Sequence, residues 1–308
     1  MNGNIFSKMS KVNLFILITF SISWTIALLF YLLFPNIDKV PFTIMAAGYM
    51  FVPTLSVLIV DLLIDKKKSL KSLAINLNPN WWYMAAWPGI ILLVLFSTII
   101  SVLWPTITFS PDMTGYIERM SSQLQPDQLE MMKAQFQHSP NEIILKTLLM
   151  ALAAGISINA IAGLGEEIGW RGLMVREYKG LNFWSASLRI GFIWGLWHSP
   201  LILMGHNYPQ HPVLGVGMMI VWCILITPLF LFIRIKTHSV VGAAIMHGTM
   251  NACAAMPLLL ISGGTDLTAG FTGFTGMISI AIAIGIMVLF DLKFSKHSIT
   301  NKTILDGI

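Results

Sequence analysis

The sequence predicts an all-α protein, a polytopic membrane helical bundle of about eight transmembrane helices, and three observations predict it. The first is composition. Of 308 residues, 56% are hydrophobic and 11% charged, and the mean hydropathy is +0.75. A soluble domain carries roughly 25% charged residues, so this chain has too few charges to cover a water-facing surface. The second is a recurrence of apolar runs of about 20 residues, the length that crosses a hydrocarbon core. The third is an uneven division of lysine and arginine between alternate loops, the signature of orientation in a bilayer.

The runs fall near 12–34, 43–64, 82–104, 142–165, 187–205, 213–234, 238–261 and 271–291. The first has no small-residue cleavage site after it and reads as a retained span. The third opens on Trp81, Trp82 and Tyr83, amphipathic rings suited to a membrane interface. The fourth is predicted to continue as one helix to about Tyr178. Between the third and fourth lies the one sizeable hydrophilic insert, 105–141, with Pro105, Pro111, Pro126 and Pro140 around a candidate surface helix from Asp127 to His138. Residues 1–308 read as a single integral membrane domain whose polar motifs occupy a core of about 142–261.

Eight spans with the N-terminus inside place 15 cations on the inner face: Lys8, Lys11, Lys66, Lys67, Lys68, Lys71, Arg171, Arg176, Lys179, Arg189, Arg234, Lys236, Lys293, Lys296 and Lys302. Four remain outside: Lys39, Arg119, Lys133 and Lys146. A miscounted span would exchange the sides partway and dilute this bias. Both termini are therefore expected in the cytoplasm, and the loops have the general character of a bacterial plasma-membrane protein. These loops also account for the net charge of +5. No groove-sized patch interleaves basic and aromatic residues, so a nucleic-acid partner is excluded. Cys223 and Cys253 lie in apolar runs and read as small buried hydrophobes.

Three segments break the rule that spans avoid ionisable groups. They are Gly165-Glu166-Glu167-Ile168-Gly169-Trp170-Arg171, Trp194-Gly195-Leu196-Trp197-His198 and His247-Gly248-Thr249-Met250-Asn251. In each, a polar group stands nine residues from an anchor at the inner face: Glu167 from Arg176, His198 from Arg189, His247 from His238. At helical rise that is roughly 13 Å of depth in all three. Burying these groups separately in lipid would cost several kcal/mol each, so a shared polar cavity is the favoured arrangement.

Spacing suggests roles. Glu167 and Arg171 are four apart, share a helix face and can pair. Glu166 points about 100° away and is expected to face a cavity. His247 and Asn251 are also four apart and can aim at one volume. A carboxylate near an imidazole can hold and deprotonate a water, the machinery of general-base hydrolysis. A second imidazole and an amide NH₂ are suitable donors around a developing oxyanion.

The pattern Glu-Glu-x-x-x-Arg, aromatic-x-x-x-His, His-x-x-x-Asn resembles the CPBP (CAAX protease, Abi and bacteriocin-processing) intramembrane endopeptidases, which include type II CAAX prenyl endopeptidases. The resemblance covers about 160–255. It implies a catalytic set of Glu166, His198, His247 and Asn251, supported by Glu167, Arg171 and Trp194. Glu166 and His198 would activate water, while His247 and Asn251 would stabilise the oxyanion. The second motif usually begins with Phe; here it begins with Trp194, which reads as a packing residue that shapes the substrate pocket. The implied partners are membrane lipid and a peptide or protein substrate. The implied cofactor is none or zinc. Glu166, His198 and His247 could hold a zinc ion with an open position, but the chain has no His-Glu-x-x-His helix and a Glu–His pair can activate water unaided. The alternative function is a non-catalytic membrane immunity or scaffold protein of the same fold. A proton-coupled transporter would predict an inverted repeat, and the sequence shows none.

Overall fold

The structure is a computed structural model that describes residues 9–304 apart from 36, 38, 68, 122, 123, 139, 296 and 297. Lys8, Lys68 and Lys296, counted above as inner cations, lie outside the described residues. The chain is an all-α membrane bundle. Helix α1 is Lys11–Leu33, begun by Ser10, whose hydroxyl accepts from the Asn13 amide at 3.2 Å. Helix α2 is Val40–Ile64 and α3 is Trp82–Val102. Within α3, Pro88 lacks the backbone donor of a regular turn, and Ala85–Gly89 widen into a π-helical turn around it.

The insert contains strand β1 (Ile107–Phe109) and helices α4 (Thr114–Ser121) and α5 (Pro126–His138), the last matching the predicted surface helix. Then follow α6 (Pro140–Gly155), α7 (Ile158–Glu177), α8 (Phe183–Trp197), α9 (Ser199–Leu203) and α10 (Pro212–Lys236). Helices α11 (Val240–Cys253) and α12 (Met256–Leu259), strand β2 (Ile261–Gly263) and α13 (Phe274–Phe294) complete the chain. Strand β2 pairs antiparallel with β1, Thr108 opposite Ser262, and so ties the insert to the end of the α11–α12 region.

Two expectations are corrected, and the count of eight spans is not confirmed. All eight apolar runs contain helix; among the described residues α1, α2, α3, α10 and α13 are singly long and apolar enough to cross a membrane, making five, or six with the bent pair α6–α7. Helices α8 and α11 stop at 15 and 14 residues. Each gives way to a short helix with a proline in its first turn, Pro200 in α9 and Pro257 in α12. The fourth run is not one helix: α6 and α7 meet at 50° across Ile156 and Ser157. The seventh run ends not as helix but in β2, whose pairing partner lies more than a hundred residues earlier and leaves no local pattern.

Glycines set how closely the motif-bearing helices approach. A Cβ on Gly248 of α11 would overlap the backbone of Asn159 and Ala160 of α7. One on Gly163 of α7 would stand 2.9 Å from the Ala244 carbonyl oxygen and 3.1 Å from His247 Cβ. Close approach of backbones at small residues is the usual way helices pack in lipid. Gly248→Ala is therefore expected to separate α7 from α11 and to destabilise by about 1–3 kcal/mol, as overpacking does. Thermal melting of the detergent-purified variant measures this, with Gly217→Ala as control because its added methyl meets nothing within 4 Å.

At the C-terminal end of α7, Asp61 of α2 accepts from both terminal nitrogens of Arg176 and from Lys67 at 2.9 Å. This fixes the end of α7 from which the depth of Glu167 was counted. The orientation has its own test. Ser69→Cys is expected to be labelled only from the cytoplasm and Gln128→Cys, on exposed α5, only from outside. Labelling of both from one side would contradict the positive-inside arrangement.

Candidate active site

Helix α7 is regular from Ile158 to Glu167 and then widens into a π-helical turn, Ile168–Leu173, before its last α turn. The two glutamates thus stand at the mouth of the irregularity and Arg171 lies within it. Such π turns re-aim side chains and are frequent at functional sites. Helix α11 brings His247 against this point because Gly163 and Gly248 leave no side chain between the helices. Helix α8 ends at His198, and α10 presents Thr227 and Phe230.

Glu167 and Arg171 are both fully buried and joined at 3.0 Å, Arg171 Nη1 donating to Oε1. Arg171 Nη2 donates to Thr227 Oγ1 at 3.2 Å. The guanidinium carbon lies 4.5 Å from the Trp194 ring centroid and 4.4 Å from that of Phe230, a cation held between two faces. The same Glu167 oxygen lies 2.8 Å from His247 Nδ1. A carboxylate on Nδ1 sets the orientation of the imidazole and turns Nε2 to the other side. There Nε2 lies 3.9 Å from Glu166 Oε1, longer than a hydrogen bond and suited to a bridging water.

Glu166 is buried, and its Oε2 accepts from the Trp194 indole at 2.8 Å and the Trp170 indole at 3.3 Å. His198 Nδ1 lies 2.8 Å from the Trp194 carbonyl oxygen. A carbonyl can only accept, so that nitrogen carries the proton and Nε2 of the neutral ring is left as an acceptor. Both imidazoles pack edgewise on Trp194, with ring centroids 5.7 Å away for His198 and 5.6 Å for His247.

The structure brings Glu166, Glu167, Arg171, Trp194 and His247 into one contact network and joins His198 to it through Trp194. Asn251 is one turn beyond His247 on α11, and its side chain is exposed rather than buried with the others. The expected Glu167–Arg171 pair is present. Glu166, expected to be free, has one oxygen engaged, and Trp194 hydrogen-bonds as well as packs. Trp170, Thr227 and Phe230 were not anticipated. Trp170 was open to detection, since it stands one helical turn after Glu166 and Glu167 stands one turn before Arg171. Thr227 and Phe230 come from a helix that carries no motif.

The side chains do not form a preassembled zinc site. Among the described residues, no three or more His, Cys, Asp or Glu side chains are disposed to hold a metal ion. Within the trio Glu166, His198 and His247, Glu166 Oε2 and both Nδ1 atoms are engaged by other groups, which leaves Glu166 Oε1 and the two Nε2 atoms unengaged by these partners.

Residues 143–253, which hold all three motifs, match the family model of Rce1-like type II CAAX prenyl endopeptidases. The site-bearing segment is thus similar to that family. Over 148 residues, covering 43% of this chain and 48% of the relative, the protein is 26% identical to CAAX prenyl protease 2 of Methanococcus maripaludis. The chain thus spans about half the length of the curated relative it matches. The Rce1-like segment begins in α6 and ends with α11, so the matched region coincides with the helices that build the polar network.

Proposed function

We propose that the protein is a membrane-embedded endopeptidase that hydrolyses a peptide bond near the cytoplasmic interface by activating water. The observation that carries this reading is the buried arrangement of Glu166 Oε1 opposite His247 Nε2, inside an Rce1-like segment and braced by Glu167 and Arg171. Glu166 serves as general base, assisted by His198, whose Nε2 is free to accept. Water attacks the scissile carbonyl; its proton passes to Glu166 and then to the leaving amine, so the atoms balance as a simple hydrolysis. His247, as an imidazolium with Nδ1–H on Glu167 and Nε2–H free to donate, and Asn251 donate to the oxyanion, with Asn251 at the exposed end of α11, where a peptide would enter. Residues 142–261 form the working core of the single domain 1–308, and the termini face the cytoplasm.

The relative's name makes a membrane-anchored CAAX-type prenylated peptide the first probe. The test is cleavage of such peptides by protein reconstituted in liposomes, with and without Glu166→Ala. Processing by the wild type and none by the variant supports a protease. Equal behaviour of the two favours the scaffold or immunity reading.

No step is routed through a metal, because Glu166 and His198 together supply the base that activates water. Cleavage is therefore expected to survive exhaustive chelation. Loss of activity on chelation, restored by stoichiometric zinc, would overturn the metal-independent mechanism.

A further inference from the structure

Two indole donors converge on one oxygen of Glu166 and leave the other free. Trp194 Nε1 reaches Oε2 at 2.8 Å from a different helix, and Trp170 Nε1 reaches the same atom at 3.3 Å from one turn along α7. The terminal torsion of a glutamate is broad and roughly two-fold, so packing alone does not decide which oxygen points where. A short hydrogen bond to one oxygen does. The Trp194 ring is itself immobilised: it is buried, edge-on to Phe230 at 5.6 Å and covered by the Arg171 guanidinium. Its backbone carbonyl meanwhile holds His198 Nδ1 at 2.8 Å. One residue thus fixes Glu166 with its side chain and His198 with its main chain.

We propose that Trp194 is a positioning residue for peptide hydrolysis, its indole N–H holding Oε2 of Glu166 so that Oε1 alone faces the attacking water. The role rests on the reading of Glu166 as general base. It differs from packing in a testable respect, because packing uses the ring and positioning uses the N–H.

The experiment replaces Trp194 by Phe and, separately, by β-(3-benzothienyl)alanine, which keeps the bicyclic shape and puts sulfur where the N–H was. For each, kcat, KM and melting temperature are measured on a prenylated peptide that the wild type cleaves. A hydrogen bond to a charged group corresponds to a fall in kcat of about 10- to 100-fold. That fall is expected in both variants, with KM unchanged and the benzothienyl variant melting like the wild type. In a Glu166→Gln background the same replacements are expected to change kcat little further, since their effect passes through Glu166. Full kcat in the benzothienyl variant, or an equal loss in the Glu166→Gln background, would overturn the role. Should Trp194→Phe fail to fold, the benzothienyl variant decides alone. A fully active Glu166→Gln rejects the base and with it this role. An impaired Glu166→Gln beside a fully active benzothienyl variant rejects the role of Trp194 only.

Discussion

Glu166→Gln is expected to slow peptide cleavage by about 10²–10⁴-fold, the usual worth of general-base assistance, while the protein melts near the wild-type temperature. The substitution keeps a carbonyl oxygen that can accept from both indoles, so the Trp194 and Trp170 hydrogen bonds survive. What is lost is the basic oxygen opposite His247. Asn251→Ala is expected to act on a different element of the reaction. Its amide lies outside the buried network, and removing one oxyanion donor typically costs about 10²–10³-fold in kcat. Rates on a matched peptide, with the melting temperature of each variant, separate these effects from misfolding.

Glu167→Gln is expected to act the other way, mainly on folding. Glu167 holds Arg171 at 3.0 Å and His247 at 2.8 Å, all three beyond the reach of solvent. Removing one member of a buried ion pair leaves the other uncompensated and costs about 3–5 kcal/mol. The melting temperature and the yield of folded protein should fall together. Replacing both members, as Glu167→Gln with Arg171→Met, removes the stranded charge and is expected to recover part of that loss, a coupling that a double-mutant cycle measures. A double variant as unstable as the sum of the singles would show that the pair is not what Glu167 stabilises.

The bundle was legible because the solvent is lipid: apolar runs and the bias of the cations are both consequences of it. The breaks in the bundle were not. Pro200 and Pro257 stand in the sequence, yet whether a proline bends a helix or ends it depends on the neighbours that satisfy the freed backbone groups. The Glu167–Arg171 pair was legible because four-residue spacing is a local rule. The Glu167–His247 contact was not, since it joins α7 to α11 across a seam set by Gly163 and Gly248. Trp194 illustrates the same limit. Its ring marked it as packing, and only the fold aims its N–H at a carboxylate 28 positions earlier.

The central claim is that Glu166 and its neighbours hydrolyse a peptide bond. The measurement that tests it most directly is mass spectrometry of a prenylated peptide incubated, in isotopically heavy water, with the reconstituted protein. Two fragments are expected from the wild type, with one heavy oxygen in the new carboxylate, and at most a trace of either from Glu166→Gln and His198→Ala. Cleavage by both variants at the wild-type rate, with the same incorporation of heavy oxygen, would contradict it.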